Sequence, residues 1–292
     1  MVYLGTPEDA VAPLRILVAA GHQIVLVVTR TDTRRGRGGR VDASPVKMAA
    51  LELGLPVTSS LDEVAGSGAE LGVVVAFGRI IPSSLLERVP MVNVHFSLLP
   101  RWRGAAPVER AILEGDAETG VCLMKVAAGL DTGPIYASVG TPIGEEESAA
   151  SLRARLVVLA CGVLEEYLSQ GLAGLPVPRD QSGEPSYAEK IDPAELELHW
   201  DQPALQIRRV VRIGRAWTTF RGKRLHVLEA APADPLPDGE SLPVGTLVGD
   251  DVVAGGATRV RLVTVQSAGR RPTAVSAWRN GVHPTADERL GT

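Results

Sequence analysis

The residues with the most chemical content lie in Val92-Asn93-Val94-His95-Phe96-Ser97-Leu98-Leu99-Pro100. Residues 92–95 read as a strand, in which side chains two apart share a face, so Asn93 and His95 point together just before the turn at 97–100. A carboxamide beside an imidazole offers two donors to the oxygen that becomes negative as a carbonyl turns tetrahedral, which is what acyl transfer requires. Asp131, in Gly129-Leu130-Asp131-Thr132-Gly133, sits in a glycine-flanked turn that can hold a short carboxylate against a neighbouring strand. Taken singly, each has a plainer reading: a core histidine, a strand-end asparagine bonding its own backbone, and an aspartate forming a turn. Neither a serine nor a cysteine stands in a nucleophile-elbow pattern, and no His or Cys cluster has metal-ligand spacing. Covalent and metal-assisted hydrolysis therefore lose ground, no metal is expected, and direct transfer to an incoming nucleophile remains.

The elements that must position these residues alternate along the first part of the chain. Runs rich in β-branched residues at 24–28, 71–77, 92–95 and 121–126 read as strands, and 8–19, 45–53, 82–88 and 107–114 read as helices, several with Pro at or near their starts. Such alternation indicates βαβ units and a doubly wound, mostly parallel α/β sheet, with ligands beyond the carboxyl ends of its strands. A long helix at about 149–170 closes this part, and a Gly- and Pro-containing stretch follows as a linker. Beyond it, a helix at 204–211 precedes short strands at 217–220, 224–228, 244–248 and 259–265, the pattern of a small β-barrel or sandwich.

With 292 residues, about two domains are expected, and 45% hydrophobic and 22% charged residues belong to an ordinary folded protein. No stretch approaches the roughly 20 apolar residues of a membrane span, and no signal-peptide pattern opens the chain, so a cytoplasmic location is expected. Cys122 and Cys161 read as small buried hydrophobes. The net charge of −4 is unevenly placed: from Leu196 onward 13 Lys and Arg stand against 10 Asp and Glu, while the preceding part has 17 against 24. A basic second part permits contact with nucleic acid, although chance variation between two domains accounts for the charge equally well.

The blocks Asn93-Val94-His95, Ser97-Leu98-Leu99-Pro100, Trp102-Arg103-Gly104 and Leu130-Asp131-Thr132-Gly133 resemble those of the folate-dependent formyltransferase family. The resemblance to the branch acting on methionyl-tRNA runs over almost the whole chain, through Gly5-Thr6-Pro7, Gly36-Arg37-Gly38, Ser44-Pro45-Val46-Lys47, Tyr187-Ala188-Glu189-Lys190 and Phe220-Arg221-Gly222-Lys223-Arg224-Leu225. It implies a Rossmann-like catalytic domain at 1–174, a linker at 175–195, and an OB-like β-barrel at 196–292 that binds tRNA. It also implies that Asn93, His95 and Asp131 form the catalytic trio. Ser97, Leu98, Leu99 and Pro100 fall on the folate-binding segment, and Phe77 and Gly78 on a loop lining the pterin pocket. The implied donor is 10-formyltetrahydrofolate, and the implied acceptor is the α-amino group of methionine on initiator tRNA. A monomer is expected. An amino sugar nucleotide or a purine precursor remains an alternative acceptor.

The stretch 29–47 holds Arg34, Arg35, Arg37 and Arg40 among glycines without the spacing of a dinucleotide fingerprint. It reads either as a solvated loop or as a mobile basic loop that orders on RNA phosphates. The resemblance implies the second, with the acceptor-arm arginine at Arg37. In the second domain Arg221, Lys223 and Arg224 are the implied phosphate contacts, with Arg208, Arg209 and Arg212 also available. The chain departs from the family at Arg34 and Arg35, where smaller residues are typical, and at 212–217, where prolines are common.

Overall fold

A computed structural model describes residues 1–35, 40–237, 241–285 and 287–292, with the backbone alone described for 34–35 and 40–41. The chain divides into two compact units: one gathers Met1–Val108, Glu118–Pro142 and Leu152–Lys190, the other Glu109–Ala117, Ile143–Ser151 and Ile191–Thr292. In chain order the helices are α1 (Val11–Ala19), α2 (Pro45–Glu52), α3 (Ser83–Leu86), α4 (Pro107–Glu114), α5 (Ala149–Leu168), α6 (Ala204–Arg212) and α7 (Val275–Val282). No helix among the described residues is long and apolar enough to cross a membrane.

The first unit contains β1 (Val2–Gly5), β2 (Leu26–Val28), β3 (Thr33–Arg35), β4 (Arg40–Asp42), β5 (Val57–Thr58) and β6 (Gly72–Val75). It continues with β7 (Met91–His95), β8 (Arg103–Gly104), β9 (Glu118–Lys125), β10 (Ile135–Pro142) and β11 (Tyr187–Ala188). Seven of these make one sheet in the order β10-β9-β7-β6-β1-β2-β5. The pairs from β7 through β6, β1 and β2 to β5 are parallel, and β9 and β10 add an antiparallel edge. This is the doubly wound, mostly parallel sheet expected from the alternation. Its inner parallel strands β1, β2 and β6 are buried along their whole length, and so on both faces. Gly72 is required where β6 meets β7, because a Cβ there would come within 2.6 Å of Met91 Cγ.

Local chemistry accounts for several of the quoted motifs. Ser44 caps α2: its Oγ accepts from Lys47 N–H at 3.0 Å, with Pro45 in the first turn, where no N–H is missed. The same Oγ lies 2.7 Å from Oγ1 of Thr29, buried just after β2. In the glycine-containing stretch after β2, strands β3 and β4 pair antiparallel on either side of residues 36–39. Lys47 Nζ at 2.7 Å from Asp32 and Arg30 donating to Thr33 Oγ1 at 2.8 Å brace its base.

The second unit holds β12 (Trp217–Phe220), β13 (Lys223–Pro232), β14 (Leu247–Val248), β15 (Asp251–Val253), β16 (Arg259–Ser267) and β17 (Thr273–Ala274). They form an antiparallel sheet in the order β12-β13-β16-β15-β14, with β17 also on β16. Irregular register near Val227 and Glu229 bends β13. Trp200, Ile207, Val211, Phe220, Leu262 and Trp278 help fill its core, with α6 and α7 contributing. The turn from β12 to β13 is the two-residue Arg221-Gly222, both with positive φ (50° and 65°), the geometry that suits the twist of a hairpin. Without the expected prolines, the chain leaves α6 through Gly214 (φ 86°) and Arg215 (φ 61°) before entering β12.

Candidate active site

Strand β7 lies inside the sheet, paired with β6 on one side and β9 on the other, and its carboxyl end carries Asn93 and His95. Both line a cavity of about 690 Å³, together with the 76–81 segment after β6 and the 126–131 segment after β9. Phe77, Gly78 and Asp131 are in this wall too. The cavity therefore opens where a doubly wound sheet places ligands, beyond the carboxyl ends of its parallel strands.

The three polar side chains are in contact. Asp131 Oδ2 is 3.6 Å from His95 Nδ1, and Asn93 Nδ2 donates to Asp131 Oδ1 at 3.5 Å, the outer limit of a hydrogen bond. His95 is 6% exposed and Asp131 15% exposed, so their mutual field is only partly screened. The ring's other nitrogen, Nε2, is 2.8 Å from the Trp102 carbonyl. A carbonyl only accepts, so Nε2 carries the proton of that bond, and Nδ1 is the ring atom left facing the carboxylate. Gly104 N–H donates to Asp131 Oδ2 at 2.8 Å.

Two of these residues hold left-handed backbone, Trp102 at φ 63° and Asp131 at φ 50°, a conformation that costs a residue with a Cβ about 1–2 kcal/mol. Their surroundings impose it. Trp102 N–H donates to Ser186 Oγ at 2.9 Å, and the carbonyls of Asp131 and Gly133 accept from Gln181 Nε2 at 2.7 and 2.8 Å. Gly104, at φ 121°, lies where a Cβ would approach Ala188 O to 2.8 Å, because β8 runs beside β11. The segment expected as a linker is thus partly built into this site. Gln181, Ser186, Trp102 and Gly104 are the residues that sequence reasoning did not assign to it. For Trp102 and Gly104 the signal was their own motif block, whose Arg103-Gly104 forms a parallel ladder with Tyr187-Ala188.

Ser97, Leu98, Leu99 and Pro100 follow β7 directly but do not line the cavity. Ser97 is fully buried, its hydroxyl donating to the Arg101 carbonyl at 2.6 Å. Leu99 N–H donates to Cys122 Sγ at 3.4 Å, the Leu99–Pro100 peptide is cis, and Leu98 packs near Gly120 and Gly140 of the antiparallel edge. Elsewhere on the cavity wall, Asp9 and Arg153 pair at 3.2 Å, and the Arg79 guanidinium lies 5.4 Å from the centre of the Phe77 ring.

The basic residues are distributed differently. Arg34, Arg35 and Arg40 fall on the β3–β4 hairpin, and Arg37 lies outside the described residues. In the second unit Arg221 donates to both oxygens of Glu288 at 2.5 and 2.7 Å, which holds that carboxyl down at about 2. Arg224 stacks 3.9 Å over the Trp217 ring, and Lys223 is exposed at the start of β13. Arg212 donates to the carbonyls of Glu147 and Gly144, and Arg208 pairs with Glu146.

A doubly wound sheet that presents an asparagine, a histidine and an aspartate to a cavity beyond its strand ends has the architecture of a group transferase. The chain belongs to the formyl transferase family: that family's model matches residues 1–166, and the model of the formyl transferase C-terminal domain matches 190–283. The methionyl-tRNA formyltransferase of Thiobacillus denitrificans is 41% identical over 310 residues, covering 100% of this chain and 99% of that protein. Among solved structures, the N-formyltransferase from Helicobacter canadensis in complex with folinic acid and dTDP-3-aminofucose superposes with a TM-score of 0.69 at 16% identity, over 91% of this chain and 98% of that one. A variant of HypX from Aquifex aeolicus gives 0.64 at 16% identity, covering 95% of this chain and 48% of that longer chain. At such identities these two establish the shared fold alone.

Proposed function

We propose that this protein transfers the formyl group of 10-formyltetrahydrofolate to the α-amino group of methionine on initiator tRNA, for the start of translation. The observation that carries the reading is the meeting of Asn93, His95 and Asp131 at one cavity wall, in a chain alignable along its whole length with a methionyl-tRNA formyltransferase. The neighbouring wall, residues 76–81 and 126–130, is largely apolar with turn backbone between its side chains, a surface suited to a flat, hydrogen-bonding ring system. It fits the folate donor, with Phe77 and Gly78 holding it.

The donor supplies the formyl carbon. The acceptor amine attacks in its unprotonated form, which is accessible because α-amino groups titrate near about 8. A bond forms from this amine to the formyl carbon, the bond to the donor nitrogen breaks, and the proton lost by the amine is returned to that nitrogen. Asn93 and His95 donate to the oxygen as its charge grows. With Nε2–H committed to the Trp102 carbonyl, His95 acts through Nδ1: Asp131 takes the amine's proton, directly or through a water, and passes it to Nδ1, whose N–H steadies the oxygen before the same proton goes on to the departing donor nitrogen. The second unit and the β3–β4 hairpin take the tRNA, with Arg34, Arg35, Arg37, Arg40, Arg221, Lys223 and Arg224 against phosphates.

The test is acceptor choice. Labelled formyl donor is supplied with charged initiator tRNA, and separately with an amino sugar nucleotide and a purine precursor. Label on methionyl-tRNA supports the reading; label on either of the others and none on tRNA replaces it.

A further inference from the structure

We propose that Gln181 is a positioning residue for the transfer, and that residues 179–188 act as a clasp setting Asp131 and His95 relative to one another. The inference rests on the roles given above to those two side chains.

The Gln181 amide is saturated. Its nitrogen donates to the carbonyls of Asp131 and Gly133 at 2.7 and 2.8 Å, and its oxygen accepts from Arg103 Nε and Nη2 at 3.1 and 2.6 Å. An amide nitrogen has two N–H groups, so each carbonyl takes one. The turn carrying Asp131 is therefore fixed through its main chain at two points. Its side chain is fixed at a third, by Gly104 N–H at 2.8 Å, and Gly104 follows the same Arg103 that Gln181 holds.

The other half of the clasp acts on the imidazole. Arg179 exchanges two backbone hydrogen bonds with Ile135, at 2.7 and 2.8 Å, which anchors the segment just before Gln181. Ser186 Oγ receives Trp102 N–H, and its carbonyl receives Arg103 N–H at 2.9 Å. Trp102 in turn presents its carbonyl to His95 Nε2. The segment thus reaches the carboxylate through Gln181 and the ring through Ser186, with no hydrogen bond of its own to either side chain. Asp131 and Trp102, the residues it bonds, both hold left-handed backbone, which this bonding maintains.

Gln181→Ala should lower kcat for formyl transfer to methionyl-tRNA by about 10- to 100-fold, the scale of a small misplacement of a reacting group, while donor affinity stays at the parent level. Gln181→Glu keeps the acceptor for Arg103 but loses both N–H donors, and it should show the same loss of kcat; it serves as the readout if the alanine variant fails to fold. A merely structural role is separated by a double variant. If Gln181 acts through Asp131, then Gln181→Ala with Asp131→Asn should be no slower than Asp131→Asn alone. Parent-level kcat in Gln181→Ala, a loss carried by donor affinity, or multiplying losses in the double variant each overturn the proposal. Impaired Asp131→Asn beside a fully active Gln181→Ala overturns the clasp and leaves the function standing. An Asp131→Asn as active as the parent removes the role of the carboxylate, and the clasp with it.

Discussion

Asp131 Oδ2 lies 3.6 Å from His95 Nδ1, while the opposite nitrogen of that ring is 2.8 Å from the Trp102 carbonyl, so the imidazole is held between a carboxylate and a backbone acceptor. Only the edge bearing Nδ1 is left to work with Asn93 on a developing negative charge. His95→Ala and Asn93→Ala should each lower turnover by on the order of 10²-fold or more, the scale for removing one oxyanion donor, with donor binding nearly unchanged. Steady-state kinetics alongside equilibrium titration of the donor decide this; parent-level turnover in either variant removes that residue from the mechanism.

Ile80 lines the cavity yet is 85% exposed, and so is placed to be covered by a ligand. Covering an aliphatic side chain is worth about 1.5–3 kcal/mol when complete. Ile80→Ser should therefore weaken donor binding by up to about 100-fold without lowering the melting temperature, since the residue supports no core. Unchanged donor affinity would place the ligand away from this lip.

The basic residues of the β12–β13 hairpin should not contribute equally to tRNA binding. Lys223→Ala should flatten the slope of log affinity against log salt by up to about one unit, the share of one phosphate contact. Arg221→Ala should flatten it less, because that guanidinium already engages both oxygens of Glu288. Equal slopes in the parent and Lys223→Ala would make this lysine a solvated surface charge.

Burial pushes the Cys122 thiol up to about 11 from its ordinary 9.0. With the folded value raised, the stability supplied by the neutral buried thiol is fully present below the ordinary value and is lost as pH rises through the folded one. At about pH 8 an alkylating reagent should leave Cys122 unmodified in the native protein and modify it in urea, as read by mass spectrometry of peptides. Equal labelling in both conditions would show that the interior of β9 is open.

How far sequence reached can be judged residue by residue. Asn93 and His95 could be placed on one face because a strand has a period of two, and the parallel sheet followed from alternating elements. Strands β1 and β5, of four and two residues, carry too little pattern to stand out, and α7 lies in a stretch read as part of a strand-rich domain. Gln181 escaped for a different reason. It lies 50 residues from Asp131 in sequence and meets it only because β11 returns beside β8, a pairing with no local period to betray it. The Ser97–Pro100 motif was legible as a motif, yet its Leu98 and Leu99 turn into the antiparallel edge, which depends on how β9 and β10 pack.

The most direct test is the single-turnover rate of formyl transfer to methionyl-tRNA by the parent and by Asp131→Asn, both saturated with 10-formyltetrahydrofolate. The amide keeps the shape of the carboxylate but can neither take a proton nor stabilise a charged imidazole. The expected result is rapid transfer by the parent and a rate lower by on the order of 10²-fold or more in the variant, with donor and tRNA affinities unchanged. No transfer to methionyl-tRNA by the parent, or equal rates in the two proteins, would contradict the account.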